Sequence, residues 1–265
     1  MEQIINSITI KNLTASWTKD QIILKNINVS FNKGEFICLS GPNGSGKSTL
    51  LSILAGISNP SLFKTGTITI CGKDISSYKR KELSRKIAYM CQNENCIWDF
   101  SVKEYILTGR FCHTRITGIY SKNDYEYVEK VIDELNIGFL AEKSVKELSG
   151  GEFQKVRIAR SLCQNSDFIL LDESVANLDY GYQKEILTFL KETCHSQNKG
   201  IIISIHDLNT ACLFADKIAL LGKNRKFIIG EVNDVINEKN LSDFYQTDFS
   251  IFTHPEFGIK QVYVK

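Results

Sequence analysis

The chain has 265 residues, 32 basic and 30 acidic, for a net charge of +2, with 43% hydrophobic and 23% charged residues. That composition belongs to a globular chain with a sizeable core and excludes a low-complexity or disordered protein. No basic block points to nucleic acid as a partner. No apolar run approaches the ~20 residues a membrane helix needs, and Met1-Glu2-Gln3-Ile4-Ile5-Asn6 lacks the basic start and apolar stretch of a secretory signal.

In chain order, Ile8 and Ile10 alternate with polar residues, as do Ile27, Val29 and Phe31, which predicts two strands. A turn at Asn32-Lys33-Gly34 leads to the apolar strand Phe36-Ile37-Cys38-Leu39 and then to Gly41-Pro42-Asn43-Gly44-Ser45-Gly46-Lys47-Ser48-Thr49. Leu50-Leu51-Ser52-Ile53-Leu54-Ala55 continues as a helix. Gly41, Gly46, Lys47 and Ser48 fit the phosphate-loop pattern of a Gly, four residues, then Gly-Lys-Ser or Thr. Glycines let the backbone curl round a phosphate with its N–H groups turned inward, and the following helix adds its positive end. Lys47 is placed to reach the outer phosphates and Ser48 to bind Mg²⁺.

Gly66-Thr67-Ile68-Thr69-Ile70 alternates again and stops at Gly72-Lys73-Asp74, so an antiparallel layer should flank the nucleotide-binding sheet. Ile87-Ala88-Tyr89-Met90 is a further strand, ending at Cys91-Gln92. Helices dominate from Asn93 to Asn165. Ser101 and Glu104 form a capping box ahead of Val102, Tyr105 and Ile106. A second helix starts at Ser121, with Tyr125, Val128, Ile132 and Leu135 on one face and Gly138 at its end. A third runs over 152–164. This reads as a helical subdomain, 93–164, inserted in an α/β core of 1–92 and 165–265. Strands at 168–171, 201–205 and 218–221 then alternate with helices at 183–194 and 208–215, the pattern of a parallel sheet with crossover helices. A short strand at 227–229, a helical piece at 234–245 and a β-like end at 261–264 close the chain.

The eight cysteines, at 38, 71, 91, 96, 112, 163, 194 and 212, contain no Cys-x-x-Cys pair and read as reduced structural thiols. His113 beside Cys112 reads as an incidental pair rather than a metal site. Phe168-Ile169-Leu170-Leu171 ends in two carboxylates: Asp172 can hold Mg²⁺ and Glu173 can polarise a water. Leu148-Ser149-Gly150-Gly151-Glu152 places a hydroxyl and two glycines before a helix, a second anion site. The first loop already encloses its phosphates, so the second fits the nucleotide of another copy.

In this order the segments resemble the nucleotide-binding subunit of an ATP-binding cassette transporter over nearly the whole chain. Residues 41–49 match the Walker A loop, Gln92 the Q-loop, 148–152 the signature and 168–173 Walker B, with Glu173 at the catalytic glutamate. Ala176-Asn177-Leu178-Asp179 matches the D-loop, and His206 the switch histidine. Trp17 falls where the family stacks an aromatic on adenine. Ser174-Val175 replaces the usual Pro-Thr, and Ser does not fix φ as Pro does.

The resemblance implies a P-loop NTPase fold and a head-to-tail pair of subunits. Each of two ATP molecules would lie between Trp17 and 41–49 of one copy and Ser149, Gly150, Gly151, Glu152 and Asp179 of the other. Mg²⁺ would sit among Ser48, Gln92 and Asp172, with Lys47, Glu173 and His206 at the outer phosphate. It also implies separate permease subunits, indirectly a substrate-binding protein, and a peripheral place at the cytoplasmic face of a bacterial membrane. The run Ser101-Val102-Lys103-Glu104, followed by Gly109-Arg110 and Cys112-His113, resembles importers of iron–siderophores, haem or cobalamin, with Cys112 where Pro is usual. Another importer substrate, or an exporter, is the alternative. DNA-repair cassettes carry a long coiled coil, and translation-factor cassettes two cassettes per chain; this chain has neither.

Overall fold

The computed structural model describes residues 6–18, 21–57, 59, 61–94, 98–115, 118–175 and 178–265. Cys96, Ala176, Asn177 and the first five residues lie outside these. The central sheet is built on β3 (Phe36–Ser40), with β6 (Ile87–Met90), β7 (Phe168–Leu171), β8 (Gly200–Ser204), β9 (Lys217–Leu221) and β10 (Phe227–Glu231). Its order is β10-β9-β3-β8-β7-β6, parallel throughout except for β10. Both faces are covered, so the strands are apolar at successive positions. Phe36 and Cys38 face one core, and Ile37 and Leu39 the other.

The second core lies under a four-stranded antiparallel sheet, ordered β2-β1-β4-β5, built from β1 (Ser7–Ser16), β2 (Ile22–Asn32), β4 (Phe63–Ile70) and β5 (Lys73–Asp74). Ile8, Ile10, Ile27, Phe31, Ile68 and Ile70 point into it, with Leu50, Leu51, Ile53 and Leu54 of α1 (Lys47–Leu54). The flanking antiparallel layer is thus as expected, with one addition: Lys73–Asp74 is a strand paired back to Thr69 and Ile70, not only a stop.

The other face carries most of the helices. α2 (Arg80–Lys86) precedes β6 and packs Leu83 against the second core; α3 (Val102–Leu107), α4 (Lys122–Glu134) and α5 (Gly150–Cys163) follow β6. α6 (Tyr180–Ser196) and α7 (Leu208–Phe214) are the crossovers, and α8 (Val232–Val235) and α9 (Glu238–Tyr245) lead to a hairpin of β11 (Phe249–Thr253) and β12 (Lys260–Val264). The apolar residues of α3, α4 and α5 share one core with the sheet face of Cys38, Met90 and Leu171.

Three local expectations change. The buried face of α4 is Asp124, Val128, Val131 and Ile132, whereas Tyr125 is exposed. α4 ends at Glu134, with Leu135 as its C-cap, and Gly138 opens a separate 3₁₀ turn. The helical piece at 234–245 is two helices, broken where Ile236 turns extended.

Two polar devices hold the helical part to itself. Arg110, from the 3₁₀ turn Thr108–His113, donates Nε to Asp124 Oδ1 at 2.9 Å and Nη1 to the Cys163 carbonyl at 2.9 Å. Gly109 lets that turn reach α5: a Cβ there would lie 2.3 Å from the Arg160 carbonyl oxygen. The Gly-Arg pair is a packing element. His113 bonds the Gln164 carbonyl at 2.8 Å, and no cluster of His, Cys, Asp and Glu suited to a metal occurs among the described residues.

Candidate functional site

The loop between β3 and α1 has its conformation dictated by its glycines. Gly41 has φ of 150°, and a Cβ on it would meet the Leu221 carbonyl oxygen at 2.1 Å. Gly46 has φ of 105°, and its Cβ would strike Ile23 Cγ2 at 2.6 Å. Any side chain at either position would displace the backbone turn that starts α1. Lys47, buried, donates Nζ to the carbonyls of Gly41 at 2.8 Å and Pro42 at 3.2 Å. Burial holds its ammonium below the ordinary lysine value, while the charges of Glu173 and Asp172 pull the other way. An ammonium poised on its own loop's carbonyls is ready for a stronger anionic acceptor. Ser45 Oγ is buried in the same loop with no hydrogen-bond partner among the described residues. An inward hydroxyl, a buried ammonium and a glycine-shaped loop are the donor set that polyphosphate requires.

A cleft of about 450 Å³ opens over this loop, lined by Trp17, Gln21, Ile23, Asn43–Thr49, Gln92, Glu173 and His206. It gathers side chains from five separate parts of the chain. Asp172 lies behind it, 1% exposed, at the end of β7. Glu173 follows with φ of 50°, a left-handed backbone that is costly for a residue with a Cβ. That turn swings its carboxylate into the cleft. There Oε2 accepts from the Gln92 side-chain amide, and Oε1 lies 2.7 Å from His206 Nε2.

Ser204 keeps the turn in place. Its hydroxyl donates to Asp172 Oδ1 at 2.8 Å and accepts from the Glu173 backbone N–H at 2.7 Å. In the sequence pattern Ser204 stands only as a residue of the strand at 201–205. The available signal was a hydroxyl at the end of an otherwise apolar strand, beside the strand that carries Asp172. Gln154 and Arg157 fall inside the helix expected over 152–164 with no role assigned to them, yet both are buried, and with Ser161 they form a polar stripe at helical spacing. At the departure Ser174-Val175 both residues are buried; the Ser174 carbonyl accepts from Gln154 Nε2 at 2.5 Å, while the Ser174 hydroxyl has no hydrogen-bond partner among the described residues.

The second anion segment stands apart from this cleft. Ser149 caps α5: its hydroxyl accepts from the Glu152 N–H at 3.3 Å, and Glu152 Oε2 accepts from the Ser149 N–H at 2.9 Å and hydroxyl at 2.7 Å. The Ser149 hydroxyl and N–H hold the Glu152 carboxyl below its usual range. Ser149, Gly150, Gly151 and Glu152 line neither this cleft nor its neighbour. Asp179 caps α6, accepting from the Tyr182 N–H at 2.9 Å, and lines the neighbouring cleft, of about 590 Å³, together with Glu173 and His206.

Fold and cleft define a P-loop ATPase cassette. A profile of the ABC transporter family matches residues 24–176. The petrobactin import ATP-binding protein FpuD of Bacillus anthracis is 34% identical over 248 residues, 94% of this chain and 89% of that protein. The phosphonates import ATP-binding protein PhnC of Fusobacterium nucleatum subsp. nucleatum is 35% identical over 247 residues, 91% of this chain and 98% of that one. A solved inward-facing ABC transporter, assigned to the metal-chelate type, superposes with a TM-score of 0.83 at 27% identity and covers 98% of both chains. The chain belongs to the ABC transporter family, and it is an ATP-binding, ATP-hydrolysing member. Among the described residues no helix is long and apolar enough to cross a membrane.

Proposed function

We propose that this chain energises import of a metal chelate, an iron–siderophore, haem or cobalamin, through separate permease subunits at the cytoplasmic face of a bacterial membrane, fed by a substrate-binding protein. The observation that carries the substrate class is the likeness to the metal-chelate type transporter. It spans 98% of both chains and so takes in the part beyond the family match at 24–176. Import of a phosphonate is the second reading, favoured by the PhnC likeness.

Two copies pair head to tail around two ATP molecules. What supports the pairing is that Ser149–Glu152 presents a helix N-terminus and stands outside its own copy's cleft. Trp17 stacks on the base, and the loop amides and Lys47 hold the phosphates. Ser48, Gln92 and Asp172 are oxygen donors suited to Mg²⁺, which when bound neutralises phosphate charge. Glu173 takes the proton of the attacking water, and His206, 2.7 Å from it, holds the outer phosphate in line. Phosphoryl transfer needs positioning and charge neutralisation above all, and these groups supply both. The helical part, 93–164, meets the permease, with Phe111, 57% exposed, at the edge of a cleft lined by Arg80, Lys81 and Gln164.

Deleting the gene and measuring uptake of each chelate tests the substrate class. Loss of uptake of one chelate is expected. Intact uptake of all three, with a defect for phosphonate, would move the assignment to the second reading. Light scattering of a Glu173→Gln chain tests the pairing: mass should double with ATP, and Ser149→Arg should prevent it.

A further inference from the structure

Gln92 and Glu173 arrive in the cleft on two separate loops, and their side chains meet there. Behind that meeting point the two loops are held by the same pair of side chains, one turn apart on α5. Arg157, 3% exposed, turns its guanidinium to the first loop. Nη2 donates to the Cys91 carbonyl, Nη1 lies 3.5 Å from the Gln92 carbonyl, and Nε lies 3.3 Å from Glu94 Oε2. Gln154, 8% exposed, turns to the second loop, with Nε2 at 2.5 Å from the Ser174 carbonyl and 3.4 Å from the Glu173 carbonyl. Arg157 Nη1 donates to Gln154 Oε1 at 2.8 Å and closes the link. Glu94 is also gripped by Arg160 from the next turn. Every polar atom of the Gln154 amide is engaged, and only a forked donor can serve two carbonyls and an amide at once.

We propose that Gln154 and Arg157 are positioning residues for ATP hydrolysis: they tie the Gln92 and Glu173 loops to α5, the helix that begins at Ser149, and so set where the two side chains meet. Neither touches nucleotide. The phosphate loop 41–49 has no hydrogen bond to either, so a change at Gln154 or Arg157 is expected to act on turnover more than on ATP affinity. What they control is the placement of the carboxylate, and a displacement of about 1 Å at a reacting group costs on the order of 10²-fold in rate. The inference rests on Glu173 being the catalytic carboxylate.

The test uses the full chain with Gln154→Leu, Arg157→Lys and, as control, Ser161→Ala. Ser161 lies on the same helix face, but its hydroxyl donates only to the Arg157 carbonyl within α5, at 3.0 Å. Gln154→Leu is expected to keep ATP affinity within about twofold, measured by calorimetric titration, while kcat falls about 10–100-fold at saturating ATP. Arg157→Lys keeps the charge beside Glu94 but loses the fork, and should fall in kcat as well. Ser161→Ala should lower the melting temperature and leave kcat per folded molecule unchanged. A Gln154→Leu chain with parental kcat overturns the proposal. So does a loss in either variant matched by an equal loss of ATP affinity or of folded protein, and so does full kcat in Arg157→Lys. Glu173→Gln run in parallel separates the two ideas: if it alone abolishes turnover, the role of Glu173 stands and only the positioning role fails.

Discussion

Ser204→Ala removes one atom that ties the loop after β7 to the end of β8. Ser204 is 1% exposed, and its hydroxyl serves the Asp172 carboxylate at 2.8 Å and the Glu173 N–H at 2.7 Å. A hydrogen bond to a charged group is worth about 1.5–3 kcal/mol, and leaving a buried N–H unpaired costs about 1–3 kcal/mol. The two do not simply add. Glu173, at φ of 50°, is then free to leave a left-handed conformation, which recovers about 1–2 kcal/mol. The net loss of stability should be about 2–4 kcal/mol, or roughly 5–15 °C in the melting temperature of a chain this size. The same relaxation moves the Glu173 carboxylate, so kcat should fall about 10–100-fold. The phosphate loop is untouched, so ATP affinity should stay within about threefold. Phosphate release at saturating ATP, calorimetric titration and thermal melting without nucleotide measure the three quantities. Ser204→Thr retains the hydroxyl and should recover most of the activity. A Ser204→Ala chain with parental melting temperature and kcat would refute the reasoning, because the hydroxyl would then not hold the Asp172-Glu173 loop.

Glu173→Gln should slow hydrolysis by about 10²–10⁴-fold with ATP binding retained, as loss of a general base requires; near-parental turnover in a phosphate-release assay would remove Glu173 from that role. Asp124→Asn should cost about 3 kcal/mol near neutral pH, since it leaves the buried Arg110 without its counter-charge. Burial pushes the Asp124 carboxyl up, but the Ser121 N–H and hydroxyl and the Arg110 guanidinium together hold it below the usual range. A carboxyl depressed in the folded state contributes its stability above the unfolded value, near pH 4, and loses it as pH falls through the folded value. Parent and Asp124→Asn should therefore converge in denaturant midpoint as pH drops from about 4 toward 2; a constant gap would show that the pair does not titrate as a unit. Gly109→Ala should destabilise by about 1–3 kcal/mol, because its Cβ would sit 2.3 Å from a backbone oxygen of α5; an unchanged melting temperature would mean that the turn shifts freely.

The core architecture was legible because its signals are local. The alternation of Ile8, Ile10, Ile27, Val29 and Phe31 has the two-residue period of a sheet with one buried face, and it marks β1 and β2. The short apolar strands at 36–40, 168–171, 200–204 and 217–221 separated by helices can be satisfied only by a sheet covered on both sides. The capping boxes at Ser101 and Ser121 start helices where the sequence places them, and the one at Ser149 starts its helix at Gly150, two residues before the expected 152. α2 was missed because Arg80-Lys81-Glu82-Leu83-Ser84-Arg85-Lys86 has a single apolar residue and so no stripe to read. The break at Ile236 was missed for the converse reason: an amphipathic pattern continued across a residue whose backbone leaves the helix.

By itself the sequence marked the phosphate loop, the two carboxylates and the segment expected to take a second anion. Each is a contiguous stretch whose residue types admit few other uses. Which groups meet was decided only by the tertiary structure. Gln92 and Glu173 lie 81 positions apart and touch because β6 and β7 are adjacent parallel strands that release their loops at one edge. His206 reaches Glu173 because β8 lies beside β7 in the same direction. Arg110, which in sequence stands only as half of the Gly109-Arg110 pair, became a buried ion pair once α4 delivered Asp124 to it. Hydrophobic period and backbone chemistry act between near neighbours along the chain and can be read there. A buried charge acquires its meaning from whatever the fold brings opposite it, and no local pattern records that.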